Sequence, residues 1–508
     1  MSRSPFPASQ PRTIPHVAME AILLSNPSTL SDQPEKSMDM TRSATRTRPD
    51  ADTIARLTGE LRSRFGDRVV TSQAVREQHA NTLTWVENQP PDVVVYPETT
   101  EEVAEIVKLC ARDKVPVIPF GTGTSFEGHT NAPYGGVSVD TSRMNAVVAV
   151  HAEDLDCVIQ PGITRKTLNE HLRDMGLFFP IDPGADASLG GMAGTRASGT
   201  NAVRYGTMKD NVLALTVVMP NGDIVKTSRR AKKSSAGYDL TRLMVGSEGT
   251  LGIITEITLK LHGIPEAISG GTCPFETIEA ACEAVIITIQ SGIPVARIEL
   301  VDEAQVRAFN AYSKLSLPEK PMLFVEFHGS EASVKEQSER FGEIAEEFGG
   351  GPFEWTTQAE ERTKLWAARH DAYWSAMALR PGWKGISTDV CVPISRLAEC
   401  VEATKRDIEE AGLLAPIVGH VGDGNFHVLP LIDMDDPEAI RKGQDFVERL
   451  VERALAMEGT CTGEHGVGQK KMKYLEAEHG PEAVSLMRTI KRAIDPDNIM
   501  NPGKIVEF

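Results

Sequence analysis

The stretch Asp92–Gly128, DVVVYPETTEEVAEIVKLCARDKVPVIPFGTGTSFEG, decides how the N-terminal half of the chain is built. Val93–Tyr96 is a β-branched run and predicts a strand. Thr99 followed by Glu102 has the form of a capping box, and Val103, Ile106, Val107 and Cys110 recur behind it at helical spacing. VPVIPF is a second strand, so the segment reads strand–helix–strand and ends in a loop of Gly, Thr and Ser. Gly121, Gly123 and Gly128 are spaced G-x-G-x-x-x-x-G, not the G-x-G-x-x-G of a dinucleotide-binding turn, and no helix obviously follows. Such a loop can still cradle phosphate, because several backbone N–H groups and hydroxyls face one point. On these residues alone a tight surface loop explains it equally well.

Outward from this unit, GGVSVD, AVVAVHAEDLDCVIQPG and ALTVVMPNGDIVKT predict further strands, the last with a hairpin turn at Asn221-Gly222. Small residues are dense over Pro183–Gly206, PGADASLGGMAGTRASGTNAVRYG, where missing side chains would let backbone approach a ligand. After about Ile264 the pattern changes. The helical stretches SVKEQSERFGEIAEEF, TQAEERTKLWAARHDAYW and EAIRKGQDFVERLVERALAM alternate with the short strands PVARIEL and MLFVEFHG. That is an α+β pattern, helices on an antiparallel sheet, and no internal repeat is evident.

The chain has 508 residues, enough for two or three domains, with 41% hydrophobic and 24% charged residues as in ordinary globular proteins. A net charge of −18 excludes a broad nucleic-acid surface. No apolar run approaches the roughly 20 residues of a transmembrane helix. The seven cysteines contain no C-x-x-C pair, so neither an iron–sulfur run nor a thiolate zinc site is readable, and a reducing compartment fits best. Residues 1–50, rich in Ser, Thr, Pro and Arg, read as a disordered tail. As a mitochondrial transit segment the tail has too many acids, and Met38 or Met40 could be the true start.

A second decisive stretch is Ile417–Leu431, IVGHVGDGNFHVLPL. With Asp423-Gly424 as a two-residue hairpin turn, His420 stands opposite His427, Cβ atoms about 4.5–5.5 Å apart on one face. Two imidazoles so placed can reach one divalent cation. GTCTGEHGVGQ supplies the best further candidates, Glu464 and His465. Two imidazoles and a carboxylate leave coordination positions open, as in a catalytic metal site. Hydrogen-bonding loop residues are the plainer reading of each His alone. On these grounds a metal-dependent hydrolase or a non-catalytic metal-binding protein stays open.

The first loop, GADASLGGMAGTRASGTNAVRYGTMKDNV, GYDLTRLMVGSEGTLGIITEI and the terminal DPDNIMNPGKI together resemble the FAD-binding domain of vanillyl-alcohol-oxidase-type (PCMH-type) flavoproteins. The resemblance implies pyrophosphate contacts from Gly121, Thr122, Gly123, Thr124 and Ser125. It implies a flavin lining of Gly184, Gly191, Ser198 and Gly199, with Glu248, Gly249 and Ile254 at the far end and Asn501 from the C-terminal motif. Some relatives attach FAD through a His near His129; here a hydrogen-bonding or solvent-facing His, and so non-covalent FAD, is expected. GHVGDGNFH and GEHGVG are similar to the C-terminal domain of the FAD-linked D-2-hydroxy-acid dehydrogenases, in particular their cytochrome-linked D-lactate branch. That implies His420, His427 and Glu464 as ligands of Zn or Mn, His465 as base and Arg369 as partner of the substrate carboxylate.

The fold expected is α+β: a tail (1–50), a two-part FAD-binding domain (51–265), a substrate- and metal-binding cap with an antiparallel sheet (266–495), and a C-terminal segment (496–508) returning to the FAD domain. The activity implied is oxidation of a D-2-hydroxy monocarboxylic acid, D-lactate foremost, because Ser387 and Leu429 stand where 2-hydroxyglutarate dehydrogenases carry polar partners for a second carboxylate. A glycolate oxidase FAD subunit and 2-hydroxyglutarate dehydrogenase are the alternatives. Electrons would pass to an external cytochrome c, quinone or electron-transfer flavoprotein, and the acidic chain favours a basic partner. The location implied is mitochondrial in a eukaryote, cytoplasmic or peripheral to the membrane in a bacterium, and a homodimer stays open.

Overall fold

In the computed structural model, residues 47–80 and 84–508 are described. The expected tail therefore lies outside them except for Thr47–Asp50. Asp50 caps the helix Ala51–Phe65 by accepting the Thr53 N–H at 2.7 Å. That helix and Thr100–Arg112 bury Leu57, Leu61, Ile106 and Val107 in the core of a four-stranded sheet. Its order is Val69–Val70, Val93–Val95, Val137–Asp140, Val117–Phe120. The last three run parallel, as the helical crossover between Val93–Val95 and Val117–Phe120 requires. The Thr99 hydroxyl accepts the Glu102 N–H, but the reciprocal half of the capping box is missing. Glu102 instead takes the Glu98 N–H at 2.7 Å and the Arg68 guanidinium at 2.6 and 2.7 Å.

A five-stranded antiparallel sheet follows, ordered Val147–His151, Asp156–Ile159, Ile253–Lys260, Val212–Val218, Ile224–Lys226. The Asn221-Gly222 turn joins its last pair, with Gly222 at φ 80°. The third sheet has seven antiparallel strands: Glu354–Thr356, Ala267–Pro274, Met322–Gly329, Val295–Val301, Ile417–Gly419, Asn425–Val428 and Val390–Cys391. Helices Ile278–Gln290, Glu331–Glu347, Leu397–Ala411 and Pro437–Ala456 send Val285, Phe341, Val401 and Phe446 into its core. Alternation along Val295–Val301 does the positioning. Ile298 and Leu300 join the helix-covered core, which leaves Arg297 and Glu299 on the opposite face. The single helix expected over TQAEERTKLWAARHDAYW is two, Ala359–His370 and Ala372–Met377, broken at Asp371.

The chain then returns to the first sheet. Val117 donates to the Ile499 carbonyl and accepts from the Asn501 N–H, both at 2.8 Å, and Ile499 and Met500 enter that sheet's core. A buried ion pair holds the return. Lys491 Nζ meets Asp495 at 2.5 Å and donates to the carbonyls of Thr250 (2.8 Å) and Met500 (2.9 Å); Asp495 accepts the N–H of Ile499 and Met500. Removing one partner strands a buried carboxylate. Lys491→Met is expected to destabilise the protein by about 3–5 kcal/mol, read as a lower urea midpoint at unchanged slope.

Candidate functional site

Ile417–Gly419 and Asn425–Val428 do form a hairpin, but in a different register from the one expected. Val418 pairs with His427 and Ile417 with Val428. The expected two-residue turn at Asp423-Gly424 is a 3-10 turn over Val421–Asp423 followed by Gly424 at φ 81°. A tight primed turn needs positive φ at both central residues, and only Gly424 has it. No side chain fits there: a Cβ would lie 2.0 Å from the Val392 carbonyl oxygen. His420 therefore stands beyond the strand end, not opposite His427. The rings still meet, with centroids 5.3 Å apart and planes at 83°.

Each ring is oriented from behind. His427 Nδ1 donates to the Thr388 carbonyl at 3.0 Å, and His420 Nδ1 contacts both oxygens of Glu299 at 2.9 and 3.0 Å. Both Nε2 atoms consequently face the same Oε1 of Glu464, at 3.0 and 3.2 Å. That is about the separation of neighbouring donors around an ion bound at 2.0–2.1 Å. The carboxylate and carbonyl behind the rings are the usual supports of metal-binding imidazoles. The other Glu464 oxygen is buried with no hydrogen-bond partner among the described residues. Burial alone would raise the Glu464 pKa, but His420 and His427 hold it well below the ordinary carboxylate range. Burial opposes the charge on His420, yet Glu299 and Glu464 raise its pKa well above the usual value.

Asp389 sets the Glu464 loop in place. One of its oxygens accepts the N–H of Glu464 (2.9 Å) and His465 (2.8 Å) and the Thr462 hydroxyl (2.8 Å), while the other takes the Asn425 amide at 2.9 Å. Asp389, His427 and His465 form a second group within metal-binding reach. Asp389 is already committed to those donors and His427 Nδ1 to a carbonyl, so the donor set His420, His427 and Glu464 fits a cation better. His465 stacks on His427 with centroids 5.0 Å apart and planes at 9°, and packs against Phe126 at 4.9 Å. Its Nδ1 is buried without a hydrogen-bond partner among the described residues. Arg369 is 7% exposed, pairs one arm with Glu299, and keeps an Nε without a hydrogen-bond partner among the described residues.

A cavity of about 510 Å³ brings these residues together with the glycine-rich half of the chain. Gly121, Thr122, Gly123, Thr124, Ser125, Gly184, Gly191, Glu248, Gly249, Ile254 and Asn501 line it, alongside Arg369, His420, His427, Glu464 and His465. Ser198 and Gly199 do not. Their neighbours Ala197 and Thr200 reach the wall, whereas Gly199 packs so closely that a Cβ would lie 2.5 Å from the Asp182 carbonyl. Glu248 lines the cavity while its carboxylate accepts the N–H of Val467 (2.6 Å) and Gly468 (2.9 Å). His129 is 6% exposed, so the solvent-facing reading fails; its Nε2 lies 3.3 Å from Glu248, but neither ring nitrogen has a hydrogen-bond partner among the described residues.

The glycine-rich wall also carries unused polar atoms. Ser188 Oγ and Asn501 Oδ1 are buried without hydrogen-bond partners among the described residues. A Cβ on Gly121 would come within 2.1 Å of that Ser188 oxygen, so the loop passes it with no room to spare. A polar ligand laid between them, such as the diphosphate of FAD, fits this cradle. Ser188, Glu299 and Asp389 were not singled out in the sequence. The available signal was a carboxylate inside the apolar strand VARIELV and another inside STDVCVP. Asp389→Ala should unpin the loop, accelerating hydrogen exchange at the Glu464 and His465 amides by about 10–100-fold in a mass-spectrometric measurement.

Comparison with known proteins places this geometry among relatives. Residues 264–505 match the profile of the FAD-linked oxidases, C-terminal domain, and residues 91–228 that of an FAD binding domain. The chain is 50% identical over 459 residues to a probable mitochondrial D-lactate dehydrogenase of Danio rerio, covering 90% of this chain and 92% of that one. It is 50% identical over 416 residues to a mitochondrial D-lactate dehydrogenase [cytochrome] of Arabidopsis thaliana, covering 82% and 73%. The fold matches a 4-ethylphenol oxidase from Gulosibacter chungangensis with TM-score 0.75 at 18% identity, over 91% of this chain and 99% of that one.

Proposed function

The chain belongs to the FAD-linked oxidases, and on that premise we propose that it oxidises D-lactate to pyruvate with a divalent cation, Zn or Mn, beside the flavin. The observation that carries this reading is the shared cavity. Unpartnered oxygens of the glycine-rich half and the convergent His420, His427 and Glu464 donors open onto one space.

His420, His427 and Glu464 would hold the cation, while Gly121–Ser125, Ser188, Gly191 and Asn501 would hold FAD without a covalent bond. Held there, FAD would supply a hydride acceptor and the cation a Lewis acid for the substrate hydroxyl. His465 takes the hydroxyl proton; its stacking on His427 fixes the ring, and Nδ1, with Glu127 Oε1 3.8 Å away, has no hydrogen-bond partner among the described residues. Arg369, held by Glu299, presents its remaining N–H groups to the substrate carboxylate. Ser387 and Leu429 both line the cavity, and neither offers a charge to a second carboxylate. A monocarboxylic acid therefore suits the space better than 2-hydroxyglutarate, with glycolate as the smaller alternative.

The seven cysteines are all free and none belongs to a metal-binding group among the described residues. Electrons would then leave directly to an external acceptor. The name of the Arabidopsis relative supports a cytochrome as acceptor, for which cytochrome c is our candidate, and both named relatives support a mitochondrial setting in a eukaryote; a quinone and an electron-transfer flavoprotein are the other candidates.

The purified protein should be yellow, release its flavin on denaturation, and bleach anaerobically with D-lactate but not L-lactate. Chelation should abolish bleaching, and added Zn or Mn should restore it; a colourless protein that only takes up zinc would support a hydrolase or metal-binding role instead. His465→Asn is expected to slow bleaching by about 10²–10⁴-fold while the bound-flavin spectrum stays unchanged, and rapid reduction by that variant would remove His465 from the role of base.

A further inference from the structure

We propose that the segment from Ser228 to Tyr238 is a docking surface for an anionic lipid bilayer. The chain carries a net charge of −18, yet Lys226, Arg229, Arg230, Lys232 and Lys233 fall within eight residues that contain no acid. Every residue from 229 to 240 is exposed. Tyr238 stands 95% exposed, and Leu240, two residues on, is also exposed.

The segment is anchored at its base and projects from there. Thr227 Oγ accepts the Leu215 N–H at 2.9 Å and lies 2.8 Å from the Thr241 hydroxyl. Asp239, the acid that follows the segment, caps the helix Leu240–Met244 by accepting the Arg242 N–H at 3.0 Å. Arg230 turns back to Asp154 and Asp156 at 2.6 and 3.1 Å. Lys226, Arg229, Lys232 and Lys233 have no ion pair among the described residues, and none of the segment lines the cavity.

A bilayer suits this chemistry better than a protein pocket does. Charges elsewhere on the chain are screened beyond about 8 Å at physiological ionic strength, so the local cations decide the approach to a surface. Flexible cationic stems gain from anionic headgroups without needing a fixed partner geometry, and a phenol is at home at headgroup depth. Between the cations and the ring, Ser234, Ser235, Ala236 and Gly237 offer no relief for shape matching against a folded partner. An acid-free cationic run on an otherwise acidic chain gives the molecule a face able to touch an anionic membrane, which would fix its orientation there.

Flotation of the flavin-loaded full chain with vesicles of phosphatidylcholine, with and without phosphatidylserine, tests this. The protein should float with the anionic vesicles at low salt and stay behind with the neutral ones. Lys232→Ser with Lys233→Ser should weaken binding by about 10- to 30-fold, whereas Lys232→Arg with Lys233→Arg should keep it and Tyr238→Ser should weaken it further. Turnover in solution should be unchanged in all three. Equal binding to both vesicle types, full binding by the serine pair, or retention on an acidic protein without any vesicle binding would overturn the proposal.

Discussion

The site depends on one buried carboxylate. Glu299 is fully buried on the fourth strand of the seven-stranded sheet and pairs with both Arg369 and His420. A charge taken out of water must be paired, and so must the guanidinium and the imidazole it meets. Each of the three therefore holds the other two. Arg369 cannot turn away without stranding Glu299, and His420 cannot present Nδ1 to the cavity while Glu299 occupies it. The result is a ring with its Nε2 aimed inward and a guanidinium whose Nε has no hydrogen-bond partner among the described residues, both held by a carboxylate on a strand that has neighbours on each side. Sites supported in this way hold their geometry without a ligand.

A second carboxylate couples the two halves of the chain. Glu248 follows the five-stranded sheet's crossover and belongs to the glycine-rich half, but its oxygens receive the N–H groups just after His465. Asp389 receives those just before. The loop bearing His465 is thus fixed at both ends by acids from different sheets. Both acids are engaged by donors of the protein: Glu248 by backbone N–H groups, Asp389 by backbone N–H groups together with the Thr462 hydroxyl and the Asn425 amide. Their effect is to set where the imidazole stands relative to the glycine-rich wall.

Much of this was legible in the chain itself. Strand–helix–strand periodicity identified the first sheet, the Asn221-Gly222 turn appeared where expected, and the period-2 runs PVARIEL and MLFVEFHG became adjacent strands. His420, His427, Glu464, His465 and Arg369 do come together in space. What failed was local geometry that depends on distant partners. The His hairpin took a longer turn because Gly424 meets Val392, and Glu248 turned to the loop after His465, a contact across 219 positions. Glu299 and Asp389 escaped notice for the same reason. A lone acid in an apolar strand carries no sign of the Arg or His that will satisfy it, because the spacing to that partner has no period.

The return of Ile499–Asn501 to Val117 has a consequence for biogenesis. Asn501 binds the His129 carbonyl across 372 positions, and the neighbouring Met500 forms a parallel bridge to the edge residue Val117. Contacts of such separation form late, after most of the chain has been synthesised. Until then Val117–Phe120 is an open sheet edge with unsatisfied backbone groups, the kind of surface that recruits a neighbouring nascent chain. A translational stop or proteolytic clip just before residue 499 would leave nearly all of the donors above intact and still yield an aggregation-prone polypeptide that depends on chaperones.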